Sequence, residues 1–269
     1  MVEIVRRPTH PGLRGHAAGG YAVYRERGAP LRRAELPHAG IVLILNLGPK
    51  IEVDGASFGS FIAGLHDRPA ITEHHGEQAG VQVNLTPLGA RRLLGMPMRE
   101  LTRTVVGVED VLSRDGVELT ERMADATAWS DRLALLDAFL LRRLRASEPV
   151  RPDVAYTWSR LAGAHGDVAI GQLCRELGCS RRHLAARFGE EVGLGPKAVA
   201  RILRFDRAAG LVRDGHAPAV VAAACGYADQ SHLARDFRSL AHTTPAVVAA
   251  AAAPTAQVTN VQDPGALAA

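Results

Sequence analysis

The sequence predicts an α+β protein. Its N-terminal half reads as a small β-barrel or sandwich with helices. Its C-terminal part reads as an all-α region of two helix-turn-helix units joined by a linker helix. Three observations predict this. From Gly20 to about Leu85, short apolar runs alternate with turn residues. From Thr86 onward the apolar spacing becomes helical. Between Val168 and Phe237 one short pattern occurs twice, as His183-Leu184-Ala185-Ala186-Arg187-Phe188 and as His232-Leu233-Ala234-Arg235-Asp236-Phe237. Such a repeat argues for one supersecondary unit used twice.

The length of 269 residues suits two domains, and 47% hydrophobic residues suffice for a substantial core. The formal charge of +4 is unevenly placed. Residues 166–250 hold 11 Lys/Arg against 8 Asp/Glu, whereas residues 1–150 hold 19 against 18. The basic excess leans toward the repeated units, as a nucleic-acid partner requires. Cys174, Cys179 and Cys225 match no zinc spacing and form no disulfide framework. They read as small buried residues in a reducing cytoplasm. The first fifteen residues carry Arg6, Arg7 and Pro8 but no apolar core of a signal peptide. No apolar run approaches the ~18 residues of a membrane span. The expected location is the cytoplasm, with no membrane partner.

In chain order, Pro8, Pro11 and Gly12 predict an irregular opening over residues 1 to about 18. Tyr21-Ala22-Val23-Tyr24 reads as a strand, and the unbroken apolar run Ile41 to Leu47 as a central one. Ile51-Glu52-Val53 followed by Asp54-Gly55 is a hairpin signal. Val81 to Leu85 alternates strictly, so Gln82 and Asn84 share the face opposite the apolar one. Thr86-Pro87 starts a helix through Leu94, and Leu119 to Ala124 reads as another. Ser130 is placed to cap a helix over Asp131 to Arg145. Its stripe of Leu133, Leu136, Leu140 and Leu144 is wide enough to serve as core or as a homodimer contact. The text Ser147-Glu148-Pro149-Val150-Arg151-Pro152 reads as a linker, followed by a short helix from Val154 to Ala164.

In the first repeated unit, Ile170, Leu173, Cys174 and Leu177 form a helical face. Gly178 supplies a left-handed helix end, and Ser180 caps the next helix. Leu184 and Phe188 then pack inward. Arg181, Arg182, Ala185 and Ala186 remain on the outer face, where arginines suit phosphates or guanine edges and alanines permit close approach. In the second unit Val220, Val221, Ala224 and Cys225 form the support helix, Gly226 the turn and Asp229 the cap. Leu233 and Phe237 face in, while Gln230, Ser231, Ala234 and Arg235 face out. Glutamine pairs with adenine, and arginine holds a phosphate. His183 and His232 flank the packed leucines and so support the turn or touch a phosphate. Between the units, Pro196 to Arg213 forms a helix with Val199, Ile202, Leu203, Ala209 and Val212 on one face, and Lys197, Arg201 and Arg204 on another. It spans about 27 Å at about 1.5 Å per residue. That separates two recognition helices by something near one turn of DNA, about 34 Å.

Residues from about 166 to 246 resemble the DNA-binding domain of AraC/XylS-family transcription regulators. The resemblance lies in Leu177-Gly178-Cys179-Ser180-Arg181-Arg182-His183-Leu184 with Phe188, then Val192-Gly193-Leu194-Gly195-Pro196-Lys197, then Arg201 to Ala208. It continues through Ala224-Cys225-Gly226-Tyr227-Ala228-Asp229-Gln230-Ser231-His232 to Arg238, then Thr243-Thr244-Pro245. One departure follows Pro245, where an alanine run replaces the aromatic-basic pair common in such domains. The stretch Phe61 to Pro87 resembles, less specifically, the cupin-like sensor domains that precede this domain in many such regulators.

The resemblance implies a division into a cupin-like sensor or dimerisation domain with a helical extension (1–148), a linker and lead-in helix (149–165), a DNA-binding domain (166–248) and a disordered tail (249–269). It implies a sequence-specific transcription regulator of double-stranded promoter DNA, controlled by a small-molecule effector of unknown identity. RNA polymerase and a second copy of the chain are further candidate partners. The expected DNA-facing residues are Ser180, Arg181, Arg182, Ala185, Ala186, Gln230, Ser231, His232 and Arg235. The alternative is a ligand-independent DNA binder whose N-terminal domain only dimerises. An enzyme fused to a DNA-targeting module is a third class. Its metal ligands would come from His38, His66, His74, His75 and Glu77. The adjacent His74 and His75 point to opposite faces of a strand, so these histidines are expected in loops or on the surface, with no metal and no cofactor. A repair-type cysteine domain is excluded, because no cysteine precedes Cys174.

Overall fold

A computed structural model describes residues 2–28 and 30–251. Ten strands form two antiparallel sheets among the described residues. They are β1 (Val2–Arg7), β2 (Ala17–Glu26), β3 (Leu31–Glu35), β4 (Ile41–Asn46), β5 (Ile51–Val53), β6 (Ala56–Phe58), β7 (Phe61–Ala63), β8 (Ala70–His74), β9 (Gln78–Leu85) and β10 (Val105–Gly107). One sheet has the order β1-β2-β9-β4-β7-β10, the other β3-β8-β5-β6.

The opening residues are not irregular as expected. β1 pairs along β2 from Val2 opposite Glu26 to Arg7 opposite Tyr21. It is an edge strand carrying Glu3, Arg6 and Arg7, and such charge on an edge masks the strand pattern while it blocks further pairing. β2 likewise begins earlier than expected, at Ala17, and its register on β9 shifts between Ala18 and Tyr21. The shift falls on Gly19 and Gly20, both at positive φ (72° and 77°), a conformation glycine adopts without steric cost. Asp54 and Gly55 form the expected two-residue hairpin between β5 and β6, with φ of 48° and 83°.

The six-stranded sheet is covered on both sides. Tyr21 and Val23, Ile41, Leu43 and Leu45, and Val81, Val83 and Leu85 are all nearly inaccessible and join a core with the helices. The alternate residues of the same strands, among them Tyr24, Val42, Ile44, Gln82 and Asn84, face the second sheet across a cavity. β4 is therefore buried on both faces, which is why its sequence is an unbroken apolar run.

Helix α1 (Pro87–Leu94) starts where Gly89 N donates to Thr86 Oγ1 at 3.0 Å. A 3-10 turn (Met98–Leu101) follows. Helix α2 (Val108–Asp125) is three times the expected length. A kink at Ser113 (φ 50°) breaks the apolar spacing and conceals its first half. Helix α3 (Trp129–Ala146) begins after Ala128, so Ser130 lies in the first turn and does not cap it. Leu136, Phe139 and Leu140 of α3 are buried in the common core.

The remaining helices are α4 (Pro152–Gly163), α5 (Ile170–Glu176), α6 (Arg181–Val192), α7 (Pro196–Arg213), α8 (Pro218–Ala224), α9 (Gln230–Ala241) and α10 (Pro245–Ala251). Helix α10 runs three residues into the stretch expected to be a disordered tail, since Ala249, Ala250 and Ala251 are the strongest helix formers once Pro245 has started the helix. Residues 252–269 lie outside the described residues.

The apolar core runs from the six-stranded sheet through α1–α6 into α7 as far as Ile202. A second core, from Phe205 to Val248, joins the end of α7 to α8, α9 and α10. Among the described residues no helix is long and apolar enough to cross a membrane.

Candidate nucleic-acid interface

The two units share their helix ending and their cap, although the second turn is one residue longer, from Gly226 to Asp229 against Gly178 to Ser180. After α5, Cys179 N donates to Cys174 O at 3.0 Å and Gly178 N to Arg175 O at 3.3 Å. After α8, Tyr227 N donates to Ala222 O at 2.9 Å and Gly226 N to Ala223 O at 3.4 Å. This six-to-one and five-to-two pair is a Schellman ending, which needs its fifth residue left-handed. Gly178 (φ 61°) and Gly226 (φ 68°) supply it. Ser180 Oγ then accepts from His183 N at 3.2 Å, and Asp229 Oδ1 from His232 N at 2.6 Å.

Leu184 and Phe188 in α6, and Leu233 and Phe237 in α9, have no exposed surface. They fix which face each helix turns inward. The support helix α8 differs from expectation. Val220 is 56% exposed and Ala224 is also exposed, while Val221, Ala222 and Cys225 are buried. Helical spacing across a seven-residue helix leaves room for only one narrow buried face.

On α6, Arg181, Arg182, Ala185 and Ala186 are exposed, as is the capping Ser180. On α9, Gln230, Ser231 and Arg235 are exposed, and Arg235 Nε donates to Ser231 O at 3.3 Å. His232 is only half-exposed. Its ring meets Tyr227 edge-on at 5.1 Å, and Ala228 N donates to its Nδ1 at 3.4 Å, so it belongs to the turn. Along α7, Lys197 is exposed, but Arg201 and Arg204 are engaged. Arg201 pairs with the buried Asp236 at 2.8 Å, and Arg204 lies over the Tyr227 ring at 5.4 Å. Asp236 is a structural acid that the repeat alone left unremarked. Arg187, its counterpart in α6, pairs with Asp153 of α4 at 2.8 Å.

Residues 173–251 match the family model described as a helix-turn-helix domain. The segment is an AraC-type helix-turn-helix domain. Among solved structures, the chain is similar to ToxT from Vibrio cholerae O395. That match has 12% identity and TM-score 0.48, and covers 87% of this chain and 98% of ToxT. It is also similar to the C-terminal domain of AraT, a response regulator from Geobacillus stearothermophilus (17%, TM-score 0.36, 39% and 88% covered). A third similar structure is the AraC-like transcriptional activator CuxR (15%, TM-score 0.26, 67% and 74% covered). No curated protein sequence matches the chain. Within the matched segment, the capped second helices of the two units are α6 and α9.

A second site lies in the N-terminal half, where sequence reasoning named no effector residues. The cavity between the sheets holds about 280 Å³. The histidines expected in loops or on the surface are partly inside it. His66 is buried, and His74 contacts Glu26 Oε2 at 2.6 Å through Nε2. His38 also lines the cavity, and burial holds its imidazole below the usual histidine value. His75 and Glu77 are exposed. β8 turns alternate residues inward, so Ala70, Thr72 and His74 line the cavity while His75 falls beyond its end. Among the described residues, no three His, Cys, Asp or Glu side chains are grouped to hold a metal.

Proposed function

We propose that this protein is a sequence-specific, DNA-binding transcription regulator of AraC/XylS type, controlled by a small molecule bound in its N-terminal half. Residues 1–148 act as the sensor domain, 149–165 as linker and lead-in helix, and 166–248 as the DNA-binding domain, in a cytoplasmic protein. The observation that carries the reading is the duplicated unit. Two recognition helices, each capped alike and each following a support helix ended by the same bonds, leave Arg181 and Arg182 on one outer face and Gln230, Ser231 and Arg235 on the other.

Arginine and glutamine side chains on helices of this kind read base edges in the major groove and anchor phosphates. The 18-residue α7 between them is about 27 Å long, a length compatible with two successive major grooves on one side of the duplex. The cavity between the sheets supports effector control over a purely dimerising N-terminal domain. A ligand regulates only by binding two conformations with different affinity; the cavity between the sheets, lined by the separate apolar cluster of Ile44, Ile51, Val53 and Phe61, is where such a ligand would bind.

The test is selection of genomic fragments by the full-length protein at near-physiological salt. Enrichment of a motif with two short blocks about one helical turn apart supports reading by both units. Retention of fragments with no shared motif, with and without cell extract metabolites, overturns sequence-specific regulation.

A further inference from the structure

The spacing of the three cysteines assigns them no shared role, yet the fold brings two of them together. Cys174 lies in the last turn of α5, and Cys179 lies just past its end. The six-to-one bond of the helix ending runs from Cys179 N to Cys174 O at 3.0 Å. These are therefore the two residues whose side chains meet across a Schellman ending. A single backbone bond of this kind keeps the two Cα atoms less than about 7 Å apart, and a disulfide spans about 4.4–6.8 Å. Cys179 also packs against the core that contains Cys174.

The two thiols differ in access. Cys174 is 7% exposed, whereas Cys179 is half-buried and lines a surface hollow with Arg151, Asp153, Leu177 and Arg187. An oxidant reaches the Cys179 sulfur first. Burial, and then the neighbouring Cys174, push the Cys179 thiol above its ordinary value. The thiolate is the reactive form, so oxidation quickens as pH rises. The second unit has no such pair. Its six-to-one bond joins Tyr227 to Ala222, and Cys225 is buried in the separate second core.

We propose that Cys174 and Cys179 are a reversible redox pair, joined by a disulfide when a peroxide reaches the turn of the first unit. The Cys179 thiolate attacks one peroxide oxygen. The O–O bond breaks, the departing hydroxide takes up the thiol's proton as water, and Cys179 becomes a sulfenic acid. The Cys174 sulfur then attacks the Cys179 sulfur. The S–S bond forms, the S–O bond breaks and a second water leaves. The two thiols together lose two electrons, and the peroxide is reduced to water. A dithiol reverses the bond by exchange, so in a reducing compartment the thiols are the resting form. The disulfide closes immediately before the Ser180 cap and so constrains the start of α6, where Arg181 and Arg182 lie. The consequence for DNA binding rests on the regulator reading; the thiol chemistry does not.

The test is exposure of the reduced full-length protein to excess hydrogen peroxide, then iodoacetamide and trypsin. Trypsin cuts after Arg175, between the two cysteines, so the pair appears as peptide 161–175 linked to peptide 176–181, in protein that runs as a monomer on a non-reducing gel. Peptide 214–235 carries alkylated Cys225, and dithiothreitol releases the link. Linkage is faster at about pH 8.5 than at about pH 7. Cys174→Ala leaves a sulfenic acid on Cys179 that dimedone traps. Oxidised and reduced protein differ at least about threefold in affinity for a selected DNA fragment, and the double variant Cys174→Ala with Cys179→Ala removes the difference. Full alkylation of all three cysteines after peroxide overturns the proposal. So does a link through Cys225, a link found only in dimers, or equal DNA affinity of the two forms. The regulator reading fails separately: if the protein selects no DNA fragment, the linked peptides alone decide the thiol pair.

Discussion

Thr102 donates its hydroxyl to the carbonyl of Gly193 at 2.9 Å, across 91 residues of chain. Thr102 follows the 3-10 turn of the β half, and Gly193 ends α6, the second helix of the first unit. Arg99 of the same turn pairs with Glu190 of α6. Helix α6 is thus fastened at its far end to the N-terminal half, and its outer face is set relative to the cavity-bearing sheets. Thr102→Val keeps the shape and removes the bond. It is expected to cost about 0.5–1.5 kcal/mol by urea unfolding and to change DNA affinity in the full chain. An unaltered stability and affinity would reduce this contact to a surface detail.

Base reading and backbone anchoring separate by their salt dependence. Arg182→Ala and Gln230→Ala should each cost about 1–3 kcal/mol on the preferred site and relax preference at one base position. Arg235→Ala should weaken all sequences alike and flatten the slope of affinity against salt. Equal loss on specific and non-specific DNA in Gln230→Ala would remove its role as a base reader.

The Arg201–Asp236 pair holds α7 to α9. Asp236 is 6% exposed, so Arg201→Leu leaves a buried carboxylate without its partner. The expected cost is about 1–3 kcal/mol, and the double variant Arg201→Leu with Asp236→Asn recovers part of it. Thermal unfolding of the three proteins decides the matter: no recovery in the double variant would mean that the bond between the two is not what Arg201 contributes.

Acid should loosen the N-terminal half. His16 is held below the ordinary histidine value of 6.5, first by burial and then by the charge of Arg92, and its Nε2 lies 3.4 Å from Arg92 Nη1. The unfolded chain therefore takes up this proton at higher pH than the folded one. The stability is fully present above about pH 6.5 and is lost as pH falls through the lower folded value. Melting temperature should drop between about pH 7.5 and pH 5, and the drop should be smaller in His16→Asn. Parallel curves for the two proteins would show that His16 is not a source of the effect.

The helix-turn-helix units were legible because their determinants are local. A left-handed glycine, a capping Ser180 or Asp229 and a leucine four residues before a phenylalanine specify the turn without reference to the rest of the chain. β1 was missed because an edge strand takes its register from β2, not from its own pattern. The first half of α2 was missed because a kink at Ser113 disrupts the period. The cavity was half-visible. Alternation in β9 puts Gln82 and Asn84 on one face, but the same pattern describes a face turned to water and a face turned to a second sheet. His74 shows the same gap. Only the pairing of β8 on β3, with Leu31 opposite His74, carries it toward Glu26.

The division of the apolar interior between Ile202 and Phe205 has a consequence for exchange between relatives. The unit containing α5 and α6 shares its interior with the sheets, so a graft made at the linker would have to bring a matching surface for the turn from Met98 to Leu101. The unit containing α8 and α9 has a separate interior behind Phe205, whose ring packs on Phe237 at 4.9 Å, and Leu36 of the N-terminal half packs against it. The second unit is thus the more readily exchanged of the two, needing a match only at Leu36, whereas the first would have to be exchanged together with the surface that the sheets and helices present to it.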